Sequence, residues 1–479
     1  MRFLTLFLML ACVPKAPPAT PLPAHRLVTP DPLAPRAFEA PTTSTGTLSN
    51  GLEIVVVENH EVPLVWVSLY IDRGNYTDPE GKAGLASVTM DMLNEGAGEY
   101  DAAGLSKAVR SLASSMGTSS SNDSSAITVK SLTKNLGQTL DLMSLVVKSP
   151  TFPQADWDLM RTKRLADLEA ARNNPRQIHS RVWNKLMYGD TYKGVMRSEE
   201  DYKAISTKDM QAWYSANFAP GPARIYVGGD TTLDEVRPLL EARFGDWEAE
   251  AKPALAPTSM PERAKATHIV LVDKPGAPQS VVKVGQRVET RKAEDFFPAM
   301  LANACYGGMF TARLNMNLRE DKGWTYGARS SLSHSQVDSV WGAGAAVKTD
   351  TTADSVSEIL RELKESQADR LFTQEELDGT RGYILGKRPL NFENPGYLLG
   401  EARDIWIYDL PQDWVTRYPE AVRGVTIEAA HTAWKRWIDP STLTILVVGD
   451  AATVRPKLEA LGLPISEVDA DGQPVGDSK

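Results

Sequence analysis

The chain repeats itself. At an offset of 220 residues, Phe152, Gln154, Arg161, Asn174 and Pro175 recur as Phe372, Gln374, Arg381, Asn394 and Pro395. Tyr188 recurs as Tyr408 and Pro220 as Pro440, in the same order. Gly229-Asp230, which closes the strand expected at 224–227, recurs as Gly449-Asp450 after the strand expected at 444–448. The front portions match at an offset of 215, pairing Ile54-Val55-Val56-Val57 with Ile269-Val270-Leu271-Val272 and Pro63 with Pro278. A period this long is not that of a solenoid, whose units run about 20–50 residues. It requires two homologous domains, which the 479-residue chain can hold.

Each unit shows the same order of elements. A short apolar strand (52–57) is followed by an alternating one, at 64–71 in the first unit and 280–288 in the second. Helical spacing follows in Leu85, Val88 and Met92, and again in Leu105, Ala108, Val109 and Leu112. Trp157, Met160, Leu165 and Leu168 line a long helix before Asn174-Pro175, and Val356, Ile359, Leu360 and Leu363 line one in the second unit. Strands with helices gathered in runs predict an α+β sandwich. Pro253, Pro257 and Pro261 mark a linker between the units. Most of the eleven tryptophans are expected in cores or at the domain junction.

A net charge of −9 argues against a nucleic-acid partner, which wants a basic face. Arg2 and an apolar run (3–11) ending at Cys12 resemble a bacterial lipoprotein signal. The run is too short to span a bilayer and fits a signal segment. Cys12 is then the lipid attachment point, and Cys305 is left without a disulfide partner, as a buried core thiol. The expected boundaries are a signal at 1–12, a proline-rich tether at 13–45, a first domain at 46–250, a linker at 251–265, a second domain at 266–465 and a polar tail at 466–479.

The stretch Gly84-Leu85-Ala86-Ser87-Val88-Thr89-Met90-Asp91-Met92-Leu93 resembles the zinc helix of the M16 (insulinase / mitochondrial processing peptidase) family of zinc peptidases. In that family Gly-Leu-Ala is followed by His-x-x-Glu-His and Met-Leu. Here the frame is kept, while Ser87 and Asp91 stand at the histidine positions and Met90 at the glutamate. Residues i and i+4 share a helix face, which is how two imidazoles reach one ion. A serine, a methionine and a lone carboxylate do not replace them, since such zinc needs about three protein ligands and a water. The family's third ligand would fall within 165–169, where Asp167 and Glu169 are read as solvated helix charges. His25, His60, His179, His268, His334 and His431 show no ligand spacing. No metal site is expected in this chain.

A second motif is intact. Arg313-Leu314-Asn315-Met316-Asn317-Leu318-Arg319-Glu320-Asp321-Lys322-Gly323-Trp324-Thr325-Tyr326 resembles the family's second-domain signature, with Tyr326 seven residues after Arg319. Gly323 is placed to end the helix in a left-handed cap, and Tyr326 to open a strand over 326–332. Gly307-Gly308 resembles the family's glycine turn. The first unit offers Arg110 at the equivalent spacing, but runs on into a serine-rich stretch (114–125) without a tyrosine.

The resemblance implies two M16-type (LuxS/MPP-like) α+β sandwich domains in tandem, enclosing half of a peptide chamber. It implies a heterodimeric metalloendopeptidase in which a zinc-bearing homologue supplies metal and general base. Arg319 and Tyr326 then act on the peptide or unfolded substrate, on the periplasmic side of a bacterial envelope and tethered by lipid. Alone, the chain is expected to cleave nothing. The alternative is a non-catalytic scaffold subunit of an envelope complex. No Gly-x-Ser-x-Gly elbow is present to support a metal-independent hydrolase.

Overall fold

The structure, a computed structural model, describes residues 43–251, 262–335 and 339–475. The expected signal, Cys12, nearly all of the tether and most of the linker lie outside the described residues.

The strands of the first half are β1 (Thr43–Thr47), β2 (Glu53–Glu58), β3 (Leu64–Ile71), a small hairpin of β4 (Gly96–Ala97) and β5 (Tyr100–Asp101), β6 (Ser115–Ser120), β7 (Ser125–Leu132) and β8 (Ala223–Gly229). Those of the second half are β9 (His268–Asp273), β10 (Gln279–Val288), β11 (Thr325–His334), β12 (Ser339–Lys348), β13 (Thr444–Gly449) and β14 (Ile465–Val468). They form two six-stranded sheets, ordered β1-β2-β8-β3-β7-β6 and β11-β12-β10-β13-β9-β14. Read from β6 and from β11, the first five positions correspond one to one, with β2–β8 and β9–β13 as the parallel pairs. The sixth position breaks the symmetry. β1 joins antiparallel to β2 from the N-terminal side, and β14 joins parallel to β9 from the C-terminal side.

The repeat positions mark element ends. The long helices Gln154–Asn173 and Gln374–Phe392 begin at the repeated glutamine, and the helices Pro175–Tyr188 and Pro395–Ile407 at the repeated proline. Asn174 and Asn394 cap the latter pair, each side chain accepting a bond from a first-turn N–H. Proline at the first helical position costs no hydrogen bond.

Two expected boundaries move. Residues 43–45 belong to β1 rather than to a tether. Residues 466–468, placed in a polar tail, complete β14, and the turn after it continues onto the first half. There Asp471 binds Arg172 and Arg181, at 3.0 and 2.8 Å. Residues 465–468 are too short, and place apolar Ile465 and charged Glu467 on one face, so they carried no strand pattern.

Each half has its own core on one face of its sheet. The other faces are covered by exchange. Helix Pro175–Tyr188 of the first half lays Ile178, Val182, Trp183 and Met187 on Val270, Val272, Leu446 and Val448 of the second sheet. Helix Pro395–Ile407 returns the favour on β2 and β8, with Arg224 stacked 5.0 Å from Trp406. Strand β13 is therefore buried at every residue, which is why residues 445–448 form an unbroken apolar run rather than alternating. Cys305 is buried against Thr380 at 3.3 Å, and burial pushes its thiol up to about 11.

Candidate functional site

Ser87, Met90 and Asp91 lie on the helix Leu85–Met92. Gly84 opens it at φ 98°, a left-handed conformation suited to glycine. The half-buried Asp78 carboxylate accepts the N–H groups of Gly84 (2.6 Å) and Ala86 (2.7 Å), and its partial burial raises it to about 6 against those bonds. Met90 is fully buried in the first core. Ser87 and Asp91 are half-buried on the adjoining face. The Asp91 carboxylate is already engaged by the guanidinium of Arg164, on the long helix Gln154–Asn173. Asp167 and Glu169 are exposed, with Glu169 beside Arg172 at 3.8 Å.

This donor set does not fit zinc. One hydroxyl, one thioether in the core and one carboxylate held by a guanidinium offer neither imidazoles nor a free general base. Among the described residues no group of three or more histidines, cysteines or carboxylates is placed to hold an ion. Arg164 was missed in the sequence. Its only signal there is a base one residue before the window of the missing third ligand.

The second-half residues are placed differently. The chain turns through π-helical backbone at Met316–Asp321, then Gly323 at φ 64° leads into β11. Arg319 faces Glu320, at 3.1 Å, and stacks on Phe310, 4.7 Å from the ring centre. Tyr326 is 90% exposed. It sits on β11, the outermost strand, where the register against β12 slips by one residue between Thr325 and Ala328. Such a bulge re-aims a side chain. The bulge is pinned twice. Thr325 Oγ1 donates to the Ala346 carbonyl at 2.7 Å and accepts the Gly327 N–H at 3.1 Å. The fully buried Asn315 accepts the Ala328 N–H at 3.1 Å and donates to the Phe310 carbonyl at 2.7 Å. Asn315 was not singled out in the sequence, although an asparagine between core leucines is a visible oddity there.

Tyr326 borders a cleft of about 430 Å³ that also touches Arg329, Lys283, Arg176 and His179; Arg319 is not among its lining residues. Arg319 is connected to the cleft only through Phe310, which carries Arg319 at 4.7 Å and the cleft residue Arg329 at 5.9 Å. A larger cavity of about 790 Å³ lies by the N-terminus of the degenerate helix, touching Asp78, Gly84, Arg164, Asp167 and Arg197. Among the described residues no helix is long and apolar enough to cross a membrane.

Comparison with known proteins agrees with this architecture. Residues 53–194 match the family model described as Insulinase (Peptidase family M16), and residues 204–382 match Peptidase M16 inactive domain. The chain is 21% identical over 400 residues to the "Non-peptidase homolog YmxG" of Helicobacter pylori, covering 83% of this chain and 91% of that protein. It superposes on the crystal structure of a peptidase M16 inactive domain from Pseudomonas fluorescens with a TM-score of 0.78 at 22% identity, covering 85% and 98% of the two chains. It also superposes on the periplasmic protease PqqL from Escherichia coli with a TM-score of 0.72 at 17% identity, covering 88% of this chain but 48% of that one. This chain belongs to the M16 peptidase family, as a member whose zinc motif has lost its ligands.

Proposed function

We propose that this chain is the zinc-free subunit of a two-chain M16 metalloendopeptidase, lending Tyr326 and Arg319 to peptide cleavage in a zinc site carried by a partner homologue. The observation that carries this reading is Tyr326 itself, a large aromatic left 90% exposed on a bulged outer strand and making no hydrogen bond among the described residues. A phenol so presented can donate to a carbonyl oxygen as it becomes an oxyanion, worth about 3–4 kcal/mol in the transition state. Arg319 supplies a permanent positive charge on the same segment. The open edge of β11 offers unpaired backbone groups to an extended peptide. The partner's zinc would supply the activated water. An envelope location, with the chain tethered by lipid at Cys12, belongs to the same reading.

The scaffold alternative is favoured by one feature, the capture of Arg319 by Glu320 and Phe310, which a purely structural residue would also show. Co-expression with a zinc-bearing homologue separates the two. This chain alone should cleave nothing, the pair should cleave, and Tyr326→Phe should lower the pair's kcat about 100-fold or more without dissociating it. Full activity in the mutant pair would remove Tyr326 from the chemistry, and a pair that forms without cleaving would favour the scaffold.

A further inference from the structure

The cleft beside Tyr326 has an unusual charge. Its lining includes Arg176, Lys283 and Arg329 and not one carboxylate, in a chain whose net charge is −9. None of the three cations has an ion-pair partner among the described residues. Arg313 and Arg388, whose side chains are far less exposed, are by contrast paired with Glu376 and Glu401. Arg329 gives one bond to the Ala328 carbonyl, at 3.0 Å, and leans on Phe310. Lys283 lies over the Trp183 ring at 4.7 Å, and burial holds its ammonium below the usual lysine range. Arg176 and Arg329 are exposed and keep their hydration, whereas Lys283 is half-buried, so the cost of a partly desolvated cation without a counter-charge falls on Lys283, and an arriving anion would relieve it.

The cleft is also built to be open. Lys283 and Arg329 project from the face of the second sheet opposite its core, between the inward-facing Val282 and Val284 on β10 and Ala328 on β11. On β12 the same face carries Gly342, Gly344 and Ala346. A Cβ at Gly342 would stand 2.6 Å from Cε of Lys283, so no other residue fits there without moving the lysine. The fourth wall comes from the first half. Helix Pro175–Tyr188, docked on this sheet by Trp183, brings Arg176 and His179. His179 is 9% exposed, and its Nε2 is buried without a hydrogen-bond partner among the described residues. Burial and the nearby Lys283 push it down to about 3, so it stays neutral near pH 7, and a neutral imidazole can donate one bond.

We propose that this cleft is a carboxylate-binding subsite, in which Lys283, Arg329, Arg176 and the unpartnered His179 take the C-terminal carboxylate or an acidic side chain of a peptide lying along β11. The inference rests on the reading that peptides bind at this edge. It adds a substrate class to that reading, peptides carrying negative charge next to the residue presented to Tyr326.

Direct binding to the full chain tests it by calorimetry, using four peptides of one core sequence: free C-terminus, amidated C-terminus, amidated with one added Glu, and amidated with one added Lys. The free acid or the Glu peptide should bind at least about tenfold tighter than the neutral amide, and the Lys peptide weakest. Which acidic peptide gains identifies the source of the carboxylate. Lys283→Met, which swaps a half-buried charge for an apolar chain of similar length, should collapse the preference toward unity. Arg329→Gln, at a more exposed position, should reduce it and carries the test if Lys283→Met does not fold. Equal binding of all four peptides would overturn the subsite while leaving the proposed function standing. No binding of any of them would overturn both.

Discussion

The two halves share a frame and use its open edge differently. In the first half β6 pairs with β7 in unbroken register, its serine-rich outer strand tied to the turn after the degenerate helix by Asn94, which donates to Thr118 at 2.7 Å. Residues at the old motif positions have been absorbed into structure, Met90 at the general-base position by the core and Asp91 at a ligand position by Arg164. In the second half β11 carries a bulge, and the residue at that bulge is almost wholly in solvent beside unpaired cations. Tyr326 is left in solvent, and the half-buried Lys283 has no ion-pair partner among the described residues. The difference teaches that the two edges of a duplicated chain can diverge independently, because each is held by its own local bonds.

The comparison can be broken most sharply at Met90. Met90→Glu, which restores the family's residue there, should destabilise the chain by about 3–5 kcal/mol, since a carboxylate would enter an apolar core without a partner. Denaturant unfolding reads it, and an unchanged midpoint would mean that the helix can turn this face to water. Acidification comes next. His179 in one half and His334 in the other are both held near 3 by burial, with Lys283 and Arg291 adding to it. Between about 6.5 and 3 the unfolded chain binds protons that the folded one refuses, so stability falls as pH drops through that window. Asp78, raised to about 6, works the other way, relieving a cost as pH falls from 6 toward its unfolded value near 3.8. Two groups against one should leave a net loss of a few kcal/mol between pH 6.5 and 4, measured by thermal melts across that range.

Asn315→Ala should cost about 2–4 kcal/mol by stranding the Ala328 N–H and the Phe310 carbonyl. It should also loosen the bulge, seen as faster amide exchange around Tyr326 and not around Ser115–Ser120. The smallest effect belongs to the first half. Asp91→Ala removes a pair whose side chains are each about a third exposed, so the loss should stay under about 1 kcal/mol. A larger loss would show that the Asp91–Arg164 pair holds the two helices together rather than only filling the abandoned site.

Much of the scaffold was legible because its signals are local. Asn174-Pro175 and Asn394-Pro395 mark helix starts by capping chemistry, Gly323 marks a left-handed turn, and the alternating strands show their buried faces. The candidate site was legible only in its residue types. The spacing of Arg319 and Tyr326 pointed to a shared role. It could not say that one lies on Phe310 beside Glu320 while the other borders a cleft. The bulge was hidden because one extra residue in a strand leaves no compositional trace.

The sequence by itself determined a doubled α+β chain, one half without zinc ligands and one with an intact arginine and tyrosine, since these follow from repeat spacing and residue chemistry. Tertiary structure alone decided that helix Pro175–Tyr188 crosses to the opposite sheet, that Arg164 closes on Asp91, and that Lys283 and His179 from different halves meet without a counter-charge. An amphipathic face states that it will be covered but not by what. Partners separated by scores of residues are chosen only when the whole chain finds the packing that covers every such face at once.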